Sequence, residues 1–270
     1  MGGEVTIRVR AAGLSHLTLS RGRAEPPLVP GAEVAGTVLA APRESGFAAG
    51  DRVLALCRRG GLAEVAVADT EDTFALPAAL SFERGAAVLV DYLTAHFAVV
   101  ERGGLAVGES VLVRGAERGA GIATVQVARA FGAGRVAAVE GGEDFRAAVR
   151  AGGLIDLAVD LVGGDSFVDV LRCLGPEGRA VAVPAAGADP AGFRVNRLLL
   201  NNIDVVAADW AGWALGGSGR LANAWAELAP HLNRGALDPV VERVHGLERL
   251  PHALAAFAEG TARGKLVVRL

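Results

Sequence analysis

Residues 110–140 read SVLVRGAERGAGIATVQVARAFGAGRVAAVE, and this stretch decides the fold. Ser110 to Arg114 is a short apolar run of the kind buried inside a parallel sheet. A glycine-bearing turn follows from Gly115 to Gly121. Ile122 to Phe131 then places apolar residues at helical spacing and closes on Gly132 and Gly134, which suit a helix C-terminus. Arg135 to Glu140 is a second buried-type strand. Strand, glycine turn, helix, strand is a βαβ unit, and the fold class is therefore α/β. In such a turn one glycine makes the bend, a second admits a pyrophosphate close to the backbone, and a third lets the helix pack tightly. The helix N-terminus adds amide donors and a favourable dipole.

Downstream, Glu143 to Ala151 predicts a helix, and strands are expected at Leu157–Val162, Arg179–Pro184 and Ile203–Asp209. The tail predicts a helix from Arg220 to about Leu232, a strand at Val240–Val244, a helix at Leu250–Ala258 and a closing strand at Lys265–Leu270. Upstream the pattern differs. Glu4–Arg10, Glu33–Leu39, Asp51–Leu56 and Leu62–Ala68 are short strand-like runs separated by Gly and Pro, which argues for a β-rich unit over about residues 1–80. Ser81, ahead of Glu83 and an apolar run from Ala86, is a helix N-cap candidate.

Composition narrows the function classes. The 270 residues are 51% hydrophobic with 27 basic against 30 acidic side chains, so a nucleic-acid or anionic-membrane partner is not suggested. Glycine is abundant, 37 residues, without a collagen-like period. Cys57 and Cys173 are lone thiols, and the five histidines show no metal-ligand spacing. No secretory leader pattern and no run of about 18 apolar residues is visible, so a soluble cytoplasmic protein is expected.

Taken together, these stretches resemble the medium-chain dehydrogenase/reductase superfamily, specifically its zinc-free quinone oxidoreductase and polyketide enoyl reductase branch. The matching segments are EVTIRVRAAGL (4–14), VPGAEVAGTV (29–38), GDRVLAL (50–56), GGLAEVAV (60–67), YLTA (92–95), GESVLVRGAERGAGIATVQVARAFGA (108–133), VDLVGG (159–164), LLLNNIDVVAADWAGW (198–213) and GKLVV (264–268). The resemblance implies a GroES-like catalytic domain over 1–92, a Rossmann-like domain over 93–213, and a segment over 214–270 that returns to the catalytic domain. It implies NADPH as cofactor, hydride transfer to a conjugated carbonyl in the interdomain cleft, and a homodimer through Ile203 to Asp209. Cofactor contacts are implied for Thr94, Gly115, Arg118, Gly119, Ala120, Gly121, Ile122, Glu140, Val162, Gly163, Pro184 and Lys265. Tyr92 matches a position near the nicotinamide, Ser15 stands where the family carries Asn, and His16 beside it is a candidate proton donor. Trp210 and Trp213 match aromatic packing positions. The zinc-dependent branch is set aside, because Leu14-Ser15-His16 and Ala32 replace its ligands and one His cannot hold a catalytic zinc.

Three departures from the family pattern matter. Arg118 stands where the family has glycine. It either adds a cation to a phosphate or crowds the backbone that should touch it, and the sequence leaves both open. Only 15 residues separate Glu140 from Asp156, room for one helix where the family has helix, strand and helix. With that segment goes the usual basic partner of a 2′-phosphate. Glu140 favours ribose hydroxyls instead, while Arg135, Arg146 and Arg150 are substitute candidates. The chain also starts late, which predicts an uncovered edge in the β-rich unit. These losses keep a second reading open, a redox-silent descendant that binds a small molecule or catalyses a cyclisation or isomerisation.

Overall fold

The computed structural model describes residues 3–15, 17–18, 29–58, 60–140, 145–183, 192–214, 219–259 and 264–270. Among the described residues twelve strands run in chain order: β1 (Glu4–Gly13), β2 (Glu33–Ala40), β3 (Arg52–Leu56), β4 (Val65–Asp69), β5 (Thr73–Ala75), β6 (Ser110–Arg114), β7 (Arg135–Val139), β8 (Ile155–Asp160), β9 (Leu174–Ala182), β10 (Asp204–Ala207), β11 (Val241–Gly246) and β12 (Lys265–Arg269). The helices are α1 (Phe82–Gly85), α2 (Leu89–His96), α3 (Gly119–Ala130), α4 (Arg146–Ala151), α5 (Phe167–Cys173), α6 (Trp210–Ala214), α7 (Arg220–Asn233) and α8 (Leu250–Ala258). The chain divides into two compact units, Met1–Asp91 with Ser218–Leu270, and Tyr92–Gly217.

The first unit is a curled, mostly antiparallel sheet in the order β11-β12-β1-β2-β3-β5, with β4 also paired to β1. β1 alternates so that Val5, Ile7 and Val9 face a core shared with Val34, Val38, Val53, Ala66 and Val268. This is the period-two pattern of a sheet with one buried face. β1 is not an edge: β2 lies on one side, while β4 and then β12 share the other. Among the described residues the path of this sheet ends at β11 and β5, and Val65 and Val67 of β4 are exposed. Ser81 caps α1 as expected, its Oγ accepting the Arg84 amide at 3.2 Å. On α7, Leu221, Ala224, Leu228 and Leu232 form the buried stripe, and Trp225 stacks 5.2 Å from Phe74.

The second unit carries a five-stranded parallel sheet in the order β10-β9-β8-β6-β7. β6 lies between β7 and β8, and Val111, Leu112 and Val113 are fully buried, as a central strand covered on both faces requires. Leu112 packs with Phe145, Val149, Phe167 and Val170 from α4, α5 and their flanks. β7 is the outermost strand on its side, and none of its residues is buried. Only 15 residues separate Glu140 from Asp156, and among the described residues no strand pairs with the outer side of β7. β8 ends at Asp160 rather than Val162. The Asp160 carboxylate accepts the amides of Val162 at 3.2 Å and Gly163 at 3.1 Å, which turns the chain out of the sheet. Among the described residues no helix is long and apolar enough to cross a membrane.

Candidate functional site

The second unit builds the glycine turn as the sequence requires. Gly115 has φ +85°, a conformation that favours glycine, and its amide and that of Ala116 both donate to the Val139 carbonyl, at 3.0 and 3.1 Å. The turn is thereby fastened to the end of β7, one residue before exposed Glu140. Gly121, buried in the first turn of α3, sits against Gly115. A Cβ on Gly121 would collide with the Gly115 carbonyl oxygen and stand 2.8 Å from its carbon. This interlock brings the start of α3 close to the turn. As at any helix start, the amides of Gly119, Ala120 and Gly121 have no intrahelical acceptor, whereas Ile122 already donates to Arg118 O at 2.9 Å.

Arg118 is the N-cap residue of α3, with extended backbone at φ −133° and ψ 154°. No glycine-only conformation is needed there, so the family's glycine is replaced without backbone strain. Its side chain is 56% exposed, and Nε lies 3.8 Å from Glu117 Oε1. The guanidinium thus stands in solvent beside the helix start.

A second loop lies against the turn. Val162 Cγ2 stands 3.0 Å from where a Gly115 Cβ would be, so Gly115, Arg118–Ile122, Val162 and Gly163 are brought together. Beneath both loops lies a pair that the sequence reading did not single out. Arg114, the last residue of β6, is buried and donates from Nη1 to Asp160 Oδ1 at 3.2 Å and to Gly163 O at 3.1 Å. Nη2 donates to Ser166 Oγ, and the guanidinium lies 5.6 Å from the Phe145 ring centroid. Burial raises the Asp160 pKa, and Arg114 opposes that rise. The available signal was a lone charge ending an otherwise apolar strand.

Tyr92 and Thr94 lie on α2. The Tyr92 side chain is buried, and its hydroxyl donates to Gln126 Oε1 on α3 at 2.8 Å; Thr94 is half-buried. Two of the substitute arginines are engaged elsewhere: Arg135 with the Gly153 and Leu154 carbonyls, and Arg146 with Asp169 at 3.4 Å. Arg150 is exposed on α4. Pro184 lies outside the described residues.

The first unit holds the remaining candidates. Ser15 follows β1, is buried, and its Oγ has no hydrogen-bond partner among the described residues. Its amide donates to Thr18 Oγ1 at 3.2 Å. His16 lies outside the described residues. Lys265, read from the resemblance as a cofactor contact, is buried in β12 with its ammonium between Glu33 and Asp91, the latter at 3.1 Å. Glu33 also accepts the Val90 amide at 3.0 Å. Burial by itself lowers the Lys265 pKa, but the facing Asp91 and Glu33 outweigh it and hold the ammonium above its usual value. Burial raises Glu33, with Asp91 adding to the rise and Lys265 opposing it. Lys265 is therefore committed to two carboxylates of its own unit.

Residues 2–78 match the family described as alcohol dehydrogenase GroES-like domain, and residues 131–268, about half the chain, match that described as zinc-binding dehydrogenase. The chain is a medium-chain dehydrogenase/reductase. It is 27% identical to quinone oxidoreductase-like protein 2 of Bos taurus, over 99% of this chain and 85% of that protein. That alignment runs over 297 positions against 270 residues here, so the relative carries residues this chain lacks. A segment of the Streptomyces orinoci spectinabilin polyketide synthase system protein NorB, 13% of its length, is 32% identical over 99% of this chain. Among solved structures, the quinone oxidoreductase of Thermus thermophilus, determined also in complex with NADPH, superposes with TM-score 0.84 at 31% identity, covering 99% of this chain and 92% of that one. The zinc of the family's name does not suit these residues. Among those described, no group of three or more His, Cys, Asp or Glu could hold a metal ion, and Glu33 is occupied by Lys265.

Proposed function

We propose that this medium-chain dehydrogenase/reductase is an NADPH-dependent reductase of a conjugated carbonyl, a quinone or an enoyl thioester. The observation that carries the reading is the Gly115–Gly121 interlock, which brings the amides at the start of α3 up against the turn. In this reading the amides of Gly119, Ala120 and Gly121 receive the pyrophosphate, and exposed Arg118 adds a cation there. Val162 and Gly163 border the same turn. Bound NADPH supplies the hydride. Ser15, a buried hydroxyl without a partner among the described residues, is the donor that stabilises the developing oxyanion, with His16 beside it to deliver a proton. The relatives named above, a quinone oxidoreductase, a quinone oxidoreductase-like protein and a polyketide synthase system protein, support this substrate class.

Titration of NADPH and NADH into the purified protein, followed by fluorescence or calorimetry, tests the cofactor. Saturable binding in the micromolar range is expected, and its absence at submillimolar cofactor overturns the reading. Arg118→Gly then separates the roles of that side chain: weaker binding marks it as a phosphate ligand, unchanged or tighter binding as a bystander. The second reading, a redox-silent descendant, draws on β7 being the outermost described strand on its side and on acidic Glu140 at its end, which favours ribose hydroxyls over a 2′-phosphate. It predicts no binding of either cofactor.

A homodimer through β10 is part of the same proposal. Val195, Leu199 and Leu200, just ahead of that outermost strand, are 74%, 77% and 64% exposed, an apolar cluster of the kind that marks an interface.

A further inference from the structure

We infer that Arg114 is the positioning residue of the nucleotide site, holding the two loops that flank it in one arrangement. Its backbone and side chain reach both. The residue immediately precedes Gly115, and its carbonyl accepts the Leu161 amide at 3.1 Å. The guanidinium is shared among Asp160, Gly163 O and Ser166 Oγ, so it spans the loop from the end of β8 to the start of α5. Asp160 completes the lock by accepting the Val162 and Gly163 amides. Gly163 and Gly164 have φ +73° and +72°, so this loop takes a backbone path that its own local preferences do not fix uniquely. The buried fork makes the choice.

The face of Phe145 against the guanidinium extends the same anchor to α4, the only described helix between β7 and β8. In the shortened crossover this one residue therefore ties the turn, through its backbone, to the second loop and the returning helix, through its side chain. A guanidinium suits the task because its planar fork serves several acceptors at fixed angles, which an ammonium cannot. Asp160 neutralises it, which a buried cation requires. Arg114 itself touches no reacting atom; it acts through the backbone of Gly115 and of Leu161–Gly163.

This inference rests on the reading that the turn holds a nicotinamide dinucleotide, and the test separates the two. Arg114→Met alone strands a buried carboxylate, so the decisive variant is Arg114→Met/Asp160→Asn, which removes both charges at similar volume. Hydrogen exchange of the amides in 161–166, thermal unfolding and the NADPH dissociation constant are measured on the wild type, this double variant and Arg114→Lys. The double variant is expected to unfold cooperatively near the wild-type temperature, to exchange those amides at least about tenfold faster, and to bind NADPH at least about tenfold more weakly. Arg114→Lys falls between on both readouts, a graded response that a merely structural charge would not give. A folded double variant with wild-type exchange and affinity overturns the inference. If the wild type binds no NADPH, the cofactor reading fails, and the exchange rates alone decide whether Arg114 positions the loops.

Discussion

At the scale of single residues, this protein is decided by a few side chains that must be absent and a few that must be paired. Gly121 is the first kind. Because its missing Cβ faces backbone atoms of Gly115, no rotamer change relieves Gly121→Ala. The substitution is expected to cost about 2 kcal/mol or more in thermal unfolding and to weaken NADPH binding, as the turn and α3 are forced apart. Ser15 is the opposite case. Its hydroxyl is buried and has no partner among the described residues, so Ser15→Ala should leave stability unchanged or slightly raised. A drop in kcat/KM of about tenfold or more, with normal unfolding, would mark it as the substrate's donor; normal turnover would remove it from the mechanism. Lys265 is paired twice, and Lys265→Met leaves Glu33 and Asp91 buried without a counter-ion. A loss of about 3–5 kcal/mol at neutral pH is expected. Burial raises the Glu33 pKa, so the folded state binds more protons than the unfolded one above pH 4.5. The penalty therefore grows as pH rises, and the variant should recover stability on acidification toward that value, measurable by denaturant unfolding across the range.

Elements are placed by patterns the sequence displays and trimmed by contacts it does not. The α8 bounds, Leu250–Ala258, match the expectation from periodicity, and α7 runs one residue beyond it. β8 stops two residues early because the Asp160 carboxylate competes for the next amides, a side-chain effect invisible to an alternation rule. β9 is held by another such contact. Arg179 grips Glu109 through both carboxylate oxygens, at 2.9 and 2.6 Å, and also donates to the carbonyls of Gly103 and Gly104. This fastens β9 to the loop that leads into β6. The hydrogen bonds from Arg179 hold the Glu109 pKa below its usual value. Folding thus gains from the ionised carboxylate at pH above about 4.5, and that gain is lost as pH falls through the depressed value. Glu109→Gln is expected to lower stability by about 1–2 kcal/mol at pH 7 and to flatten the acid limb of the stability profile; an unchanged limb would show that the pair contributes little.

At the scale of the whole molecule, the apolar cluster before β10 carries the assembly prediction. Leu200→Glu should convert a dimer to a monomer in analytical ultracentrifugation without lowering the unfolding temperature; a wild-type monomer would overturn the proposal. The two fold types were legible from periodicity and punctuation alone, because burial on one face or both leaves a repeating signature along each strand. The glycine turn and the short interval after Glu140 were legible too, from motif spacing and chain length. What sequence did not disclose is which charges meet. Arg114 and Asp160 are 46 residues apart and Lys265 and Asp91 are 174 apart, and neither spacing carries any local period. Lys265, a cofactor contact by resemblance, is a buried counter-ion of Glu33 and Asp91; Arg114 read as the end of a strand and is the hub of two loops. Local pattern determines which segments form strands and helices, since each must bury its own apolar face. Only the assembled sheets decide which polar groups are left inside with one another, because burial makes pairing obligatory and topology alone selects the partner.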